Sequence, residues 1–249
     1  MIALVLPAAR WALAGERLAD MAEERLRRIL AELSAGEQAW TAARLCAVCP
    51  QITGVNGAGI MLMSGDIPQG SLGTTDEVSQ LIEELQYTLG EGPCVDAYQQ
   101  DRVVAEPDLA DPATPRWVAF TPPALEAGVR AVFGFPLRVG GVRLGALDLY
   151  RDRPGPLSTE QHADALVLAS MAARWVLEAQ AGAASGAVPA VLEGADFHFV
   201  VHNAAGMVSV QQGISITDAL IRLRAYAFSH DRLLTEVAQD VVDRKLRLE

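Results

Sequence analysis

Three cysteines, four histidines and one glycine-rich turn carry most of the chemistry this chain could perform. Cys46-Ala47-Val48-Cys49 has the CxxC spacing of a zinc half-site or a redox pair. No second pair completes a metal site, and both sulfurs fall on the stripe Ala42, Leu45, Cys46, Cys49. Two core thiols on a helix are the simpler reading, with a redox pair as the alternative. Gly90-Glu91-Gly92-Pro93-Cys94 is a different setting. Its glycines allow close backbone approach, Pro93 suits the first turn of a helix, and Cys94 would then lie at a helix N-terminus, where the dipole stabilises a thiolate. The segment is either loop-to-helix architecture or the wall of a pocket with a reactive thiol. His198, His202 and His230 lie within the last 54 residues, without metal-ligand spacing to any Cys or His pair. Gly57-Ala58-Gly59 lacks the third glycine of a dinucleotide fingerprint and reads as a packed strand. With no GxSxG, HExxH or GxxxxGK[ST] signature, the expectation is no enzyme, no metal and no cofactor.

The elements that would position these residues follow from periodicity. Leu18, Ala22, Leu26, Ile29 and Leu33 predict an amphipathic helix over 16–33. A second helix is expected from Glu37 to Cys49, stopping at Pro50. Gly57 to Met63 reads as a buried strand, Gly65 to Gly70 as a turn, and Ser71 to Thr75 as a hairpin partner. Val78, Leu81, Ile82 and Leu85 predict a helix over Asp76 to Tyr87. Five prolines between 101 and 123 predict an irregular crossing. Val129 to Val139 and Val142 to Tyr150 read as strands of a hairpin around Gly140-Gly141. A long helix from Ser158 to Gln180, apolar on two sides, suggests a dimer seam.

Residues 181–195 are small and glycine-rich, as linkers are. Three short helices follow. The first carries Val200, Ala204, Met207 and Gln211 and ends at Gly213; the second opens with the capping-box-like Ser215 to Asp218 and buries Ile216, Ala219, Leu220 and Leu223; the third carries Leu234, Val237, Ala238 and Val241. The expected domains are an N-terminal helix (1–35), a sensor-like domain (36–181), a linker (182–195) and a three-helix domain (196–249). The expected fold class is α+β, an antiparallel sheet with flanking helices followed by a small all-α bundle.

Composition narrows the function classes. A chain of 249 residues with 51% hydrophobic and 20% charged residues is globular, and its net charge of −11 argues against broad binding to nucleic acid or anionic membrane while leaving room for a local site. An odd cysteine count favours a reducing cytoplasm, and no stretch is long and apolar enough to span a membrane.

Ala204-Ala205-Gly206-Met207-Val208, Ser215 to Asp218-Ala219, Leu223-Arg224, Ala227, Glu236-Val237-Ala238 and Val241-Val242 make residues 196–249 resemble an ANTAR domain. Glu91-Gly92-Pro93-Cys94, Phe135-Pro136-Leu137 and Gly145-Ala146-Leu147-Asp148-Leu149 make about 36–181 resemble a GAF domain of the kind often fused to ANTAR. The pair implies a signal-dependent transcription antiterminator, working as a homodimer on paired stem-loops in leader transcripts. Arg222, Arg224, His230 and Arg232 are then the candidate RNA contacts, with Tyr226 to stack and His202 as a weaker member. Many ANTAR domains carry a basic residue where this chain has Ala205, and 196–249 holds six Lys or Arg against seven Asp or Glu, so modest, salt-sensitive, dimer-dependent RNA affinity is expected. The GAF resemblance implies a small-molecule pocket between the sheet and the segment Glu91 to Trp117, with candidate walls Met61, Met63, Cys94, Trp117, Phe133 and Phe135. Alternatives are a bundle that only dimerises or docks a protein, and a GAF-type free methionine sulfoxide reductase in which Cys94 attacks and a second Cys resolves.

Overall fold

A computed structural model describes residues 8–35, 40–65, 67–111, 116–182, 196–197, 199–230 and 232–248. The expected helix start at Glu37, Asp66 of the expected turn, all of the linker beyond Gly182, His198 and Asp231 lie outside the described residues. Met1–Trp40 forms one unit, with helix α1 over Ala8–Ser34; Thr41–Glu249 forms a second.

In the second unit, α2 (Ala42–Thr53) starts where the Thr41 hydroxyl accepts the Arg44 N–H at 3.1 Å. It does not stop at Pro50. Pro50 sits in the last turn, where its missing N–H withdraws a donor from one carbonyl only, and Gly54 closes the helix in the left-handed region at φ 66°. Strand β1 (Gly57–Ser64) pairs with β2 (Ile67–Thr74), which begins four residues before the expected Ser71. Helix α3 (Glu77–Leu89) opens on a capping box between Asp76 and Ser79. Helix α4 (Pro93–Gln100) follows with Pro93 at its start. The proline-rich crossing contains β3 (Val104–Glu106) and α5 (Thr121–Glu126), both too short to show a period. Strands β4 (Ala131–Val139) and β5 (Val142–Arg151) form the expected hairpin, and α6 (Thr159–Gly182) returns across the sheet.

With β6 (Asp196–Phe197) at its edge, the sheet of the described residues is antiparallel throughout, in the order β3-β4-β5-β1-β2-β6. Helices α3 and α4 cover one face; α2 and α6 cover the other. Helices α7 (Phe199–Gln212), α8 (Ile216–Ser229) and α9 (Leu234–Val242) form a bundle. The fold is therefore α+β. In α7 the buried stripe is Val201, Ala204, Ala205 and Val208, rotated from the expected Val200, Ala204, Met207 and Gln211. In α8, Ile216 is exposed while Ala219, Leu220 and Leu223 are buried. Tyr87, Cys94, Met61 and Ala146 on the α3–α4 side share one apolar cluster with Val201, Leu223 and Val237 of the bundle. No described helix is long and apolar enough to cross a membrane.

Candidate functional site

Asp148 sits on central strand β5 with Gly59 of β1 on one side and Gly134 of β4 on the other. Both glycines exist for close approach. A Cβ at Gly59 would collide with the Glu83 carboxylate, and one at Gly134 with the Pro93 carbonyl. The helical period of α3 turns Glu83, Gln86 and Tyr87 inward together. Gly92, at φ 138°, lets the chain pass over Gln86 into α4. The Cys94 N–H then donates to Gln86 Oε1 at 2.7 Å, and Gln86 Nε2 donates to Asp148 Oδ2.

This leaves two buried carboxyls side by side with too few donors. Neither Glu83 oxygen accepts a bond from an N–H or hydroxyl donor, and the same holds for Asp148 Oδ1. A carboxyl can satisfy another only by carrying a proton, so one proton is shared within the pair. Burial is the main cause that raises Glu83 well above the ordinary range, with the Asp148 charge next. Burial also raises Asp148, to about 7, against the hydrogen bonds from Gln86, Glu83 and Cys94 that lower it. Both carboxyls are thus held toward the protonated form, and the pair titrates as a unit. Among the described residues no cluster of His, Cys, Asp and Glu suits a metal ion.

Cys94 does occupy the first turn of α4, as its spacing predicts, but it is fully buried. Burial, then the charges of Asp148 and Glu83, push its thiol well above 9, so the expected activated thiolate is not formed. Cys46 and Cys49 are also buried, on α2, and burial raises both. They lie across the sheet from Cys94, with Cys46 Sγ donating to Gly73 O at 3.2 Å.

The six expected pocket residues do not share one wall. Strand pairing aligns Met61 with Ala146 and Pro136, so Met61 and Met63 face α3 and α4 beside Cys94 and Trp117. Phe133 and Phe135 point to the opposite face, where Arg151 lies over Phe133 at 5.8 Å and His162 of α6 meets Phe135 at 5.4 Å. Strand alternation makes this unavoidable once the register is set. Trp117 is held by Nε1 donation to Asp96 at 3.2 Å and by an edge contact with Phe120.

The expected RNA contacts also fall into distinct groups. Arg224 turns away from solvent: its Nε and Nη2 donate to Tyr87 O at 3.1 and 2.7 Å. That carbonyl is in the last turn of α3, so Arg224 caps the helix at its negative end. Burial lowers its guanidinium to about 10, which still leaves a full cation at neutrality. His202 of α7 meets the ring of the same Tyr87 edge-on at 6.5 Å. Arg232 pairs with Asp240 at 2.8 Å and Glu236 at 3.9 Å, which offsets its charge. Tyr226 and His230 stack at 3.9 Å. Arg222, tethered to Gln212 at 2.8 Å, lines a groove of about 660 Å³ with Ala225, Tyr226, Ser229, Leu246, Arg247 and Leu248. Arg247 is absent from the sequence-derived set because it follows the last helix, where periodicity gives no direction.

The GAF domain family matches residues 41–179. No curated protein matches the chain. Similar solved structures include the GAF domain of a phosphoenolpyruvate-protein phosphotransferase from Acinetobacter, 14% identical, covering 66% of this chain and 97% of that one at a TM-score of 0.48. Its counterpart from Coxiella burnetii is 16% identical over 64% and 95%, with a TM-score of 0.48. A type II free methionine-R-sulfoxide reductase from Thermoplasma acidophilum is 20% identical over 54% and 91%, with a TM-score of 0.42. With more than half of its length matched, the chain belongs to the GAF domain family, and its role is sensory or signalling.

Proposed function

We propose that this GAF-domain chain is a non-catalytic RNA-binding regulator whose C-terminal bundle, similar to an ANTAR domain, engages paired stem-loops in leader transcripts and so prevents termination. The observation that carries this reading is the groove beside α8. Arg222 and Arg247 stand on its walls with Tyr226 and Ser229, and among the described residues no acidic side chain lines it. Guanidinium groups beside an aromatic ring suit phosphates and unstacked bases of an RNA loop. The bundle is near neutral, so two copies in a homodimer, each reading one stem-loop, supply affinity that one copy lacks.

The test is filter binding of the full chain to tandem stem-loop RNA at low salt. Arg222→Ala with Arg247→Ala is expected to weaken binding at least about tenfold and to flatten its salt dependence. Equal affinity for unstructured RNA, with no effect of the double variant, overturns the reading. That outcome would favour the bundle as a protein-docking module, for which exposed Phe228 and Ile221 on α8 are the supporting observation.

A further inference from the structure

The groove beside α8 has walls from two parts of the chain, and one side chain holds both. Gln212, the last residue of α7, accepts from Arg222 Nη1 at its Oε1 at 2.8 Å and donates from Nε2 to Leu248 O, also at 2.8 Å. Arg222 belongs to the α8 wall, and Leu248 to the wall made by residues 246–248. We infer that Gln212 is the positioning residue of this groove: it fixes Arg222 and Arg247 on their two walls, so that both guanidinium groups reach the phosphates of one unpaired RNA stretch lying between them. The RNA occupant rests on the function proposed above; the hold on the two walls does not.

The segment after α9 is shaped to be a wall. Arg244 turns the chain in the left-handed region at φ 60°, and the N–H groups of Lys245 and Leu246 both donate to Asp240 O, at 2.8 and 3.0 Å. Beyond that turn the residues alternate. Leu246 is half-buried and Leu248 is buried, both against the apolar cluster of the bundle, while Arg247 between them is exposed. Burial of the two leucines holds the segment down but has no direction of its own. The bond from Gln212 to the Leu248 carbonyl supplies the direction, and with it the place of Arg247 along the groove.

The chemistry of the tether matters as much as its geometry. An amide is neutral, so its bond orients the Arg222 guanidinium without offsetting the charge, and it occupies one of several N–H donors. Arg232 shows the other case, with Asp240 and Glu236 beside it. A guanidinium oriented before RNA arrives loses less freedom on binding, which is where a positioning residue gains affinity. Tyr226 is placed independently, by α8 and by its stack with His230 at 3.9 Å. Gln212 therefore acts on the phosphate contacts and not on base stacking.

The experiment compares the full chain with Gln212→Ala in two measurements. NMR relaxation of the free protein follows the Arg247 backbone N–H and the Arg222 Nε–H. The order parameter at Arg247 is expected to fall from about 0.85 to below about 0.6 in the variant, with a parallel fall at Arg222. Unchanged order parameters overturn the positioning role, whatever the RNA affinity. Filter binding to tandem stem-loop RNA at low salt then measures how the groove is used. Gln212→Ala removes no charge, yet it should weaken binding about tenfold and reduce the slope of log affinity against log salt by about 1.5, the share of two phosphate contacts. In the Gln212→Ala background, Arg222→Ala and Arg247→Ala should each cost less than in the native chain, while Tyr226→Ala costs the same in both. Additive effects of the arginine variants with an unchanged slope overturn the inference and keep the RNA reading, since a merely structural residue behaves that way. Loosened guanidinium groups in a chain that binds no RNA keep Gln212 as the positioning residue and remove the RNA reading.

Discussion

On the side of the sheet covered by α2 and α6, β1, β4 and β5 present Ile60, Phe133, Phe135, Leu147 and Leu149, all buried and all apolar. On the side covered by α3 and α4, the same strands present Gly59, Gly134, Asp148 and Ala146, and the space is filled by Glu83, Gln86 and Cys94. The first side is a conventional core in which dispersion and area burial do the stabilising. The second exchanges side-chain volume on the strands for polar groups on the helices. It is also the side whose apolar cluster runs into the bundle. The polar side is thus the one connected to the bundle helices, while the other is closed off by apolar packing.

The largest expected effect comes from truncation on the apolar side. Phe135 is fully buried against His162 and its strand neighbours, so Phe135→Ala should lose about 3–5 kcal/mol of stability in urea unfolding. A loss under about 1 kcal/mol would mean that the side repacks easily, and the contrast in rigidity would disappear.

Sequence reading recovered the long periodic elements and the hairpin at Gly140-Gly141, because those signals are local. It placed Asp148 on the strand Val142 to Tyr150, yet gave no hint that Asp148 would be buried beside another carboxyl. That depends on which strands flank β5 and on glycines about 90 and 14 residues away in sequence, a matter of register. Glu83 was hidden differently. The stripe Val78, Leu81, Ile82, Leu85 would turn it outward, but α3 is rotated so that Leu81 is exposed and Glu83 is buried. A charged residue on a helix ordinarily marks the solvent side, and only the missing Cβ of Gly59 opposite it makes the other orientation possible. Arg224 escaped for a similar reason: on an amphipathic helix it reads as a free cation, and the carbonyl that captures it belongs to a helix far away in the chain.

A smaller effect is expected from crowding the polar side. Gly59→Ala drives a methyl group into the Glu83 carboxylate and should destabilise the fold by about 1–3 kcal/mol. The companion Glu83→Ala vacates that space, so the double variant should recover a large part of the loss, a coupling that calorimetry of the four proteins would read directly. If the two effects simply add, Glu83 does not depend on the glycine for its position, and the account of the polar side as a fitted cradle is wrong.

The smallest effect, and the one that most directly separates the two sides, is the rate at which buried thiols react with iodoacetamide. Cys94 lies on the polar side, Cys46 and Cys49 on the apolar side, and all three are buried. Thiolate formation raises every rate with pH, so each rate is divided by that of the same cysteine in the unfolded chain, leaving only the protection conferred by structure. Between about pH 6 and about pH 8 Asp148 loses its proton and becomes a buried anion beside Cys94, and protection of Cys94 should fall while that of Cys49 stays constant. Cys46 feels Glu83 through the sheet, but its thiol remains fixed on Gly73 O, so it should follow Cys49. In Asp148→Asn the pH-dependent divergence should vanish, because the buried carboxyl that titrates near 7 is then gone from that side. Loss of protection by all three thiols together would show that the molecule opens as a whole, and the two sides of the sheet would then differ in composition but not in behaviour.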